Sequence, residues 1–337
     1  MCHRREVPSL AVLALVLAAC GSEVARTTIP TTVASTTTST TSTPVQVAAM
    51  DYYRFGDQGL YRVVRGVETL LVDEPVDRAW DDDMGGVIYT SDLPSAYWIP
   101  STDGLTEIVI RRPRFVALVG GRATAVAFEH EPEAEGGGDL VLTDLQTGND
   151  RRIVGIFYEG DGWSVPTSYG GGLFVGVEGA AFGCGYSDHG LAFWDDSGDR
   201  IDHPHNPVTD CGPCELSAII SPDGRFLAYS HRADSPSEYH GRLECGQSGL
   251  WDDWWASTQD ISGQVVVIEL ETGTEMFRTT SPAQTRVADF DGRYLVVEEN
   301  LGLYDKPAAT IYDTWGEQSS VRVPGGVALI RRGANTD

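Results

Sequence analysis

Along most of the chain, short apolar runs are separated by clusters of Gly, Asp, Asn and Ser, and helical periodicity is nearly absent. Alternating or continuous apolar runs of this length, bounded by turn residues, predict β-strands. The clearest case is residues 216–230, LSAIISPDGRFLAYS, two strands around the turn Ser221-Pro222-Asp223-Gly224-Arg225. After an insertion, residues 263–277 (GQVVVIELETGTEMF) give a second pair, turning at Glu271-Thr272-Gly273-Thr274. Together they make a four-stranded unit.

Degenerate copies of this unit fill the chain. Outer strand pairs are predicted at 59–73, 96–110, 139–154, 190–202, 263–279 and 309–323, and inner pairs at 78–92, 115–129, 163–178, 216–230 and 285–299. Their turns are rich in Asp-Gly and Gly-Gly, which supply the positive φ that tight hairpins need. A period of roughly 40–50 residues is that of propeller blades. The missing inner pair can be made from residues 45–55 and 327–331, so the last strand would complete the blade that the first began. The expectation is an all-β, six-bladed β-propeller closed by pairing of its N- and C-terminal strands, with seven blades as the alternative. A β-sandwich seldom holds so many regular hairpins. Closure removes the open sheet edges that invite aggregation.

The run Ser-Pro-Asp-Gly-Arg-Phe-Leu-Ala-Tyr-Ser (221–230), followed by Val265-Val266-Val267-Ile268-Glu269-Leu270-Glu271-Thr272-Gly273, resembles the propeller repeat of TolB-like proteins. The same repeat occurs in the propeller domains of prolyl oligopeptidase relatives. Partial matches lie at residues 140–148 and 290–295. The resemblance implies an architecture and no site. The peptidase relatives add an α/β-hydrolase domain with a Gly-x-Ser-x-Gly elbow, and this sequence has no such motif.

The N-terminus changes the picture of where such a propeller would work. Arg4 and Arg5 precede a short apolar run and then Leu17-Ala18-Ala19-Cys20, the pattern of an export signal. That run is well short of the ~20 residues that span a bilayer. Leu-Ala-Ala-Cys resembles the bacterial lipobox, which implies cleavage before Cys20 and a lipid on that cysteine; an ordinary secretory signal is the other reading. The expected organisation is a signal peptide at 1–19, then lipidated Cys20 and a disordered Thr/Ser-rich tether through 44. The propeller would span 45–333 and a short tail 334–337. Such a tether, and the near absence of lysine (Lys306 alone), resemble lipoproteins of high-GC Gram-positive bacteria. The expected location is the extracytoplasmic face of a bacterial cell membrane.

Formal charge is −25, and loss of residues 1–19 removes Arg4, Arg5 and Glu6, leaving the remainder one unit more negative. A field of that sign repels phosphate backbones, so nucleic acid is not an expected partner. The expected contact with the membrane is the lipid on Cys20.

The b–c and d–a connections of a propeller share one face, and here they hold nearly every insertion: 129–138, 179–189, 202–215 and 231–262. Long insertions in compact domains are commonly functional or disordered. Cys184, Cys211, Cys214 and Cys245 all fall in them, which in an exported protein suggests two disulfides. The pairing Cys184–Cys211 with Cys214–Cys245 is favoured, and a Cys211–Cys214 bridge competes. Cys211-Gly212-Pro213-Cys214 also matches the thioredoxin tetrapeptide. A strand follows it, however, where a helix N-terminus would be needed to lower the thiol pKa. Zinc held by Cys211, Cys214, His203 and His205 is the other alternative, though only the CxxC spacing has the required form. No cofactor is otherwise expected. Asp81-Asp82-Asp83 and Asp195-Asp196 lie in short turns and read as solvated, with calcium as a remote alternative.

Trp251-Asp252-Asp253-Trp254-Trp255 could form a platform for sugars or cationic groups, or could anchor its loop by burying apolar area. The sequence thus supports a non-catalytic binding or assembly module for an envelope protein, peptide or glycan. The alternative is a propeller enzyme of the lactonase or glycan-lyase sort with a metal-assisted site at the channel mouth, and a plain structural or solute-sensing lipoprotein is a third reading. Non-reducing mass spectrometry of the oxidised protein should find no alkylatable thiol among the four loop cysteines. Four free thiols with co-purifying zinc would reverse that expectation.

Overall fold

The computed structural model describes residues 50–91, 95–101, 107–130, 138–153, 162–182, 185–209, 216–232, 263–281, 285–299, 308–315 and 319–331. Among these, the strands form six four-stranded antiparallel sheets. The first blade contains β1 (Tyr52–Gly56), β2 (Gly59–Val64) and β3 (Val67–Val72). The second contains β4 (Arg78–Asp81), β5 (Val87–Thr90), β6 (Ser95–Ile99) and β7 (Ile108–Arg111). The third is β8 (Phe115–Val119), β9 (Arg122–His130), β10 (Gly138–Asp144) and β11 (Asp150–Ile153). The fourth is β12 (Gly162–Gly170), β13 (Leu173–Phe182), β14 (Gly185–Asp195) and β15 (Arg200–Ile201). The fifth is β16 (Leu216–Ile220), β17 (Phe226–Arg232), β18 (Gly263–Glu269) and β19 (Glu275–Ser281). The sixth is β20 (Thr285–Phe290), β21 (Tyr294–Glu299), β22 (Ala308–Asp313) and β23 (Ser320–Pro324). The chain then returns to the first sheet, where β24 (Gly326–Leu329) pairs inside β1 with Tyr52 opposite Leu329. All eleven predicted hairpins are present, and the six-bladed β-propeller closes as expected.

The apolar runs explain themselves in this ring. Six buried clusters lie one at each junction between neighbouring blades. On β17 and β18, Leu227, Tyr229, Val266 and Ile268 pack toward the fourth blade. Phe226, Ala228, Val265 and Val267 pack toward the sixth. Both faces of the sheet are therefore buried, which is why the run 265–268 is continuously apolar instead of alternating. At ~25 cal/mol per Å² of apolar surface, burial at six junctions is the main stabilising term.

The turns carry a second repeated device. Arg122 pairs with Asp144 at 2.8 Å, Arg225 with Glu269 at 3.4 Å and Arg293 with Asp313 at 2.7 Å. In each case the arginine of a Gly-Gly-Arg or Asp-Gly-Arg turn braces the carboxylate that ends the third strand. These guanidinium groups are more than half exposed, so each brace contributes only about 0.2–1 kcal/mol. Gly224 has a stricter reason to be glycine. Its φ is +75°, and a Cβ there would lie 2.7 Å from the Cα of Gly171, whose φ is +59°. The inner turns of blades four and five touch backbone to backbone.

Two expectations are corrected. Of residues 179–189, read as an inserted loop, 179–182 and 185–189 instead prolong β13 and β14, whose pairing runs out to Phe182 opposite Gly185 after a bulge at Glu178/Gly179. Antiparallel pairing gives each added residue a backbone partner, so the pair extends where a loop would leave those groups to water. Asp81-Asp82-Asp83, read as solvated, are inside: Asp81 is 3% exposed and Asp82 is 0% exposed. Asp82 accepts hydrogen bonds from the amides of Met84 (2.8 Å) and Gly86 (2.7 Å) and from the Trp98 indole (2.9 Å).

Asp81 and Asp83 belong to the closure of the ring. Just past β24, the Arg331 guanidinium bonds Asp289 at 2.6 Å and approaches Asp83 at 3.5 Å, while its backbone amide donates to Asp81 at 3.1 Å. Asp289 also accepts the Leu329 amide at 2.7 Å. The end of the chain is thereby tied to blades two and six. Burial, then the neighbouring Asp83 charge, pushes Asp81 up to about 8, against the pull of Arg331.

Replacing Arg331 with Met leaves Asp83 and Asp289 buried without their guanidinium partner, and chemical denaturation should show a loss of roughly 3–5 kcal/mol. Asp81 keeps in the fold a proton that the unfolded chain releases, so its contribution is full below about pH 4 and is lost toward pH 8. The stability of Asp81→Asn relative to the parent should therefore rise between pH 5 and pH 8. A difference independent of pH would mean that Asp81 is ionised throughout.

Candidate functional site

Each blade offers the free edge of its innermost strand to a central channel. Where neighbouring inner strands splay apart, side chains bridge them. Thr167 donates to the Ala218 carbonyl at 2.7 Å, Ser168 accepts the Ile220 amide at 3.0 Å, and Ser217 accepts the Val287 amide at 2.9 Å. These bonds satisfy backbone groups that the sheet leaves unpaired. They leave a cavity of about 430 Å³, whose wall is made by β4, β8, β12, β16, β20 and β24.

Strand register orients the cavity. Arg78, Arg114 and Arg286 stand at the starts of the inner strands of blades two, three and six, and all three line the cavity. The same ends of the blades carry the pairs His130–Gly138, Arg232–Gly263 and Glu299–Ala308, which flank long connections. The arginines therefore mark the channel mouth on the face of the insertions. Arg331 and Asp289 line the opposite end.

The two ends differ in how their charges are used. Arg286 pairs with Glu298, which is 8% exposed, its Nε donating at 2.6 Å. Among the described residues, neither the Arg78 nor the Arg114 guanidinium has a hydrogen bond or an ion pair. Both residues are exposed along the channel, and neighbouring protein desolvates them only in part. That desolvation, followed by the Arg286 charge, pulls Arg78 below the ordinary arginine range, with Glu298 opposing and Arg114 and Arg112 adding to the fall. Burial alone lowers Arg114. Both remain cationic at neutral pH, since arginine starts from a pKa above 12. At the other end, the acidic groups of Asp81, Asp83 and Asp289 converge on Arg331.

His203 stacks on Phe193 with ring centroids 4.9 Å apart, and its Nδ1 accepts the His205 amide at 3.3 Å. His205 packs against Gly273, in the outer turn of blade five and away from the channel mouth. Burial, then His205, lowers the His203 pKa. Among the described residues, no three His, Cys, Asp or Glu side chains could hold one metal ion. Cys20, Cys184, Cys211, Cys214, Cys245, Trp251, Asp252, Asp253, Trp254 and Trp255 lie outside the described residues. The channel arginines were not singled out from the sequence. Their signal was nonetheless there: an arginine at, or within one residue of, the first position of an inner strand in three blades of a strongly acidic chain.

No family model matches the chain, and no curated protein matches it by sequence. Solved structures with a similar fold include TolB from Acinetobacter baumannii, 15% identical with a TM-score of 0.49, covering 83% of this chain. The chain spans 65% of that protein's length. Others are the Kuenenia stuttgartiensis hydrazine synthase (15% identity, TM-score 0.43, 82% of this chain and 80% of that one) and an oligogalacturonate lyase from Vibrio parahaemolyticus (10%, 0.42, 82% and 80%). Likeness at this level concerns the fold and carries no site.

Proposed function

We propose that this chain is a lipid-anchored, extracytoplasmic propeller that binds an envelope protein, peptide or glycan without transforming it, using the face of the long connections. One observation carries the reading: the channel mouth on that face is lined by guanidinium groups, two of them unpaired among the described residues. Arginine fixes and orients an anionic ligand through charge-assisted hydrogen bonds. It neither holds a metal ion nor takes up a proton near neutrality, so such a mouth suits recognition better than metal-assisted hydrolysis or elimination. Among the described residues, the carboxylates of the channel are already engaged: Glu298 at the mouth with Arg286, and Asp83 and Asp289 at the far end with Arg331. Anchoring rests on Cys20 and the tether that follows it; several acyl chains on one residue, at ~0.8 kcal/mol per buried CH₂, hold firmly.

Incubating the purified full chain with envelope peptides and peptidoglycan fragments, followed by mass spectrometry, should return the retained species unchanged. Conversion to smaller products would favour the lactonase- or lyase-like alternative. Palmitate labelling in a bacterial host should disappear in Cys20→Ala, and undiminished labelling would remove the lipid anchor.

A further inference from the structure

We infer that Arg78 and Arg114 form an oxyanion-binding site at the channel mouth, which takes the carboxylate or phosphate group of a ligand whose remainder lies along the cavity wall. The inference deepens the binding role proposed above and rests on the same face being the working one.

Three features of the molecule carry it. First, the geometry is that of a pocket: the cavity of about 430 Å³ falls within the roughly 300–1,000 Å³ usual for small-ligand sites. Second, the charge is left over. Arg286 is neutralised by Glu298, and Arg112 lies 3.7 Å from Asp77. Arg78 and Arg114 have no such counterpart, so among the described residues the mouth carries an excess of two positive charges. Elsewhere the arginines of this protein are mostly consumed by carboxylates, as in the turn braces and the Arg331 clasp. Third, the placement is costly. Neighbouring protein partly desolvates both guanidinium groups, and the charge of Arg114 further disfavours that of Arg78, a cost to the empty protein that an incoming anion would offset.

The chain's overall negative charge works against anion capture at long range. Its reach is limited, because the screening length is only about 8 Å at physiological ionic strength. Inside the mouth the nearest charges decide, and among the described residues these are three arginines and the single carboxylate of Glu298, which is taken by Arg286. Guanidinium groups present paired N–H donors that fit two oxygens of a carboxylate or phosphate equally well. The local excess suits a dianion, or one end of a chain with two acidic groups.

Isothermal titration of the full chain with citrate, with inorganic phosphate and with neutral glucose, in low-chloride buffer, tests the site. At least one anion should bind one-to-one with a dissociation constant of about 1 mM or tighter, and glucose should not bind. Arg78→Gln and Arg114→Gln should each weaken binding about tenfold or more, the usual loss for a charge-assisted bond. Arg200→Gln, which breaks only the outer pair with Glu178, should leave binding unchanged. Because the unpaired guanidinium groups burden the empty fold, the two channel variants should melt at or above the parent's temperature without ligand, and lose the rise in melting temperature that the anion gives the parent. Citrate favoured over phosphate would assign a carboxylate ligand, and the reverse a phosphate-bearing one. No binding of either anion at about 10 mM, or equal binding by both channel variants, would overturn the inference. Unchanged envelope ligands retained by a chain that binds neither anion would sink this inference alone; ligand converted to products with anion binding intact would sink only the binding role.

Discussion

A single blade of this protein cannot stand alone, because its strands are apolar on both faces and need a neighbour on each side. The pairing of β24 with β1 supplies the last neighbour. Through it, Val327 and Leu329 enter the junction with blade six, while Ala328 joins the junction with blade two. Without that strand the first blade would lose its inner edge, and two of the six apolar junctions would open together. Arg331, just beyond, fixes the strand by ionic contacts to Asp83 and Asp289 and a backbone bond to Asp81. The rest of the ring depends on this closure.

Closure also sets the electrostatics of the channel. The inner strands run in the same direction in every blade, so residues at their starts collect at one mouth and residues near their ends collect at the other. Arg78, Arg114 and Arg286 gather at the first and Asp81, Asp83 and Asp289 at the second. The acidic end is consumed in holding the C-terminal strand. At the basic end, two guanidinium groups keep no partner among the described residues. One channel thus has an end whose charges are paired and an end where, among the described residues, two are not.

The recurring turn residues serve the fold itself. The Asp-Gly-Arg of residues 223–225 and 291–293 and the Gly-Gly-Arg of 120–122 answer to a positive φ, a close backbone approach or a brace to a strand-ending carboxylate. All these needs are local to one blade or to a pair of blades. They explain why the repeat is recognisable and why it says nothing about a ligand. The arginines of the mouth lie at or beside the first residues of inner strands, where the turn and strand pattern gives no reason to single them out.

Strand positions, hairpin order, blade number and the joining of the two chain ends were all legible in the sequence, because they follow from a period of two and from turn chemistry acting over a few residues. The prolongation of β13 and β14 past residue 179 was not, since a run of Gly and Ala gives no apolar alternation to betray a strand. Nor was the burial of Asp81, Asp82 and Asp83 legible. Three consecutive aspartates in a turn look solvated until Arg331, some 250 residues away, brings its amide to Asp81 and its guanidinium to Asp83. The channel mouth is the same kind of object, assembled from residues of blades two, three and six that meet only when the ring closes. Local physics determined the blades; only closure decided which charges would face each other across the channel.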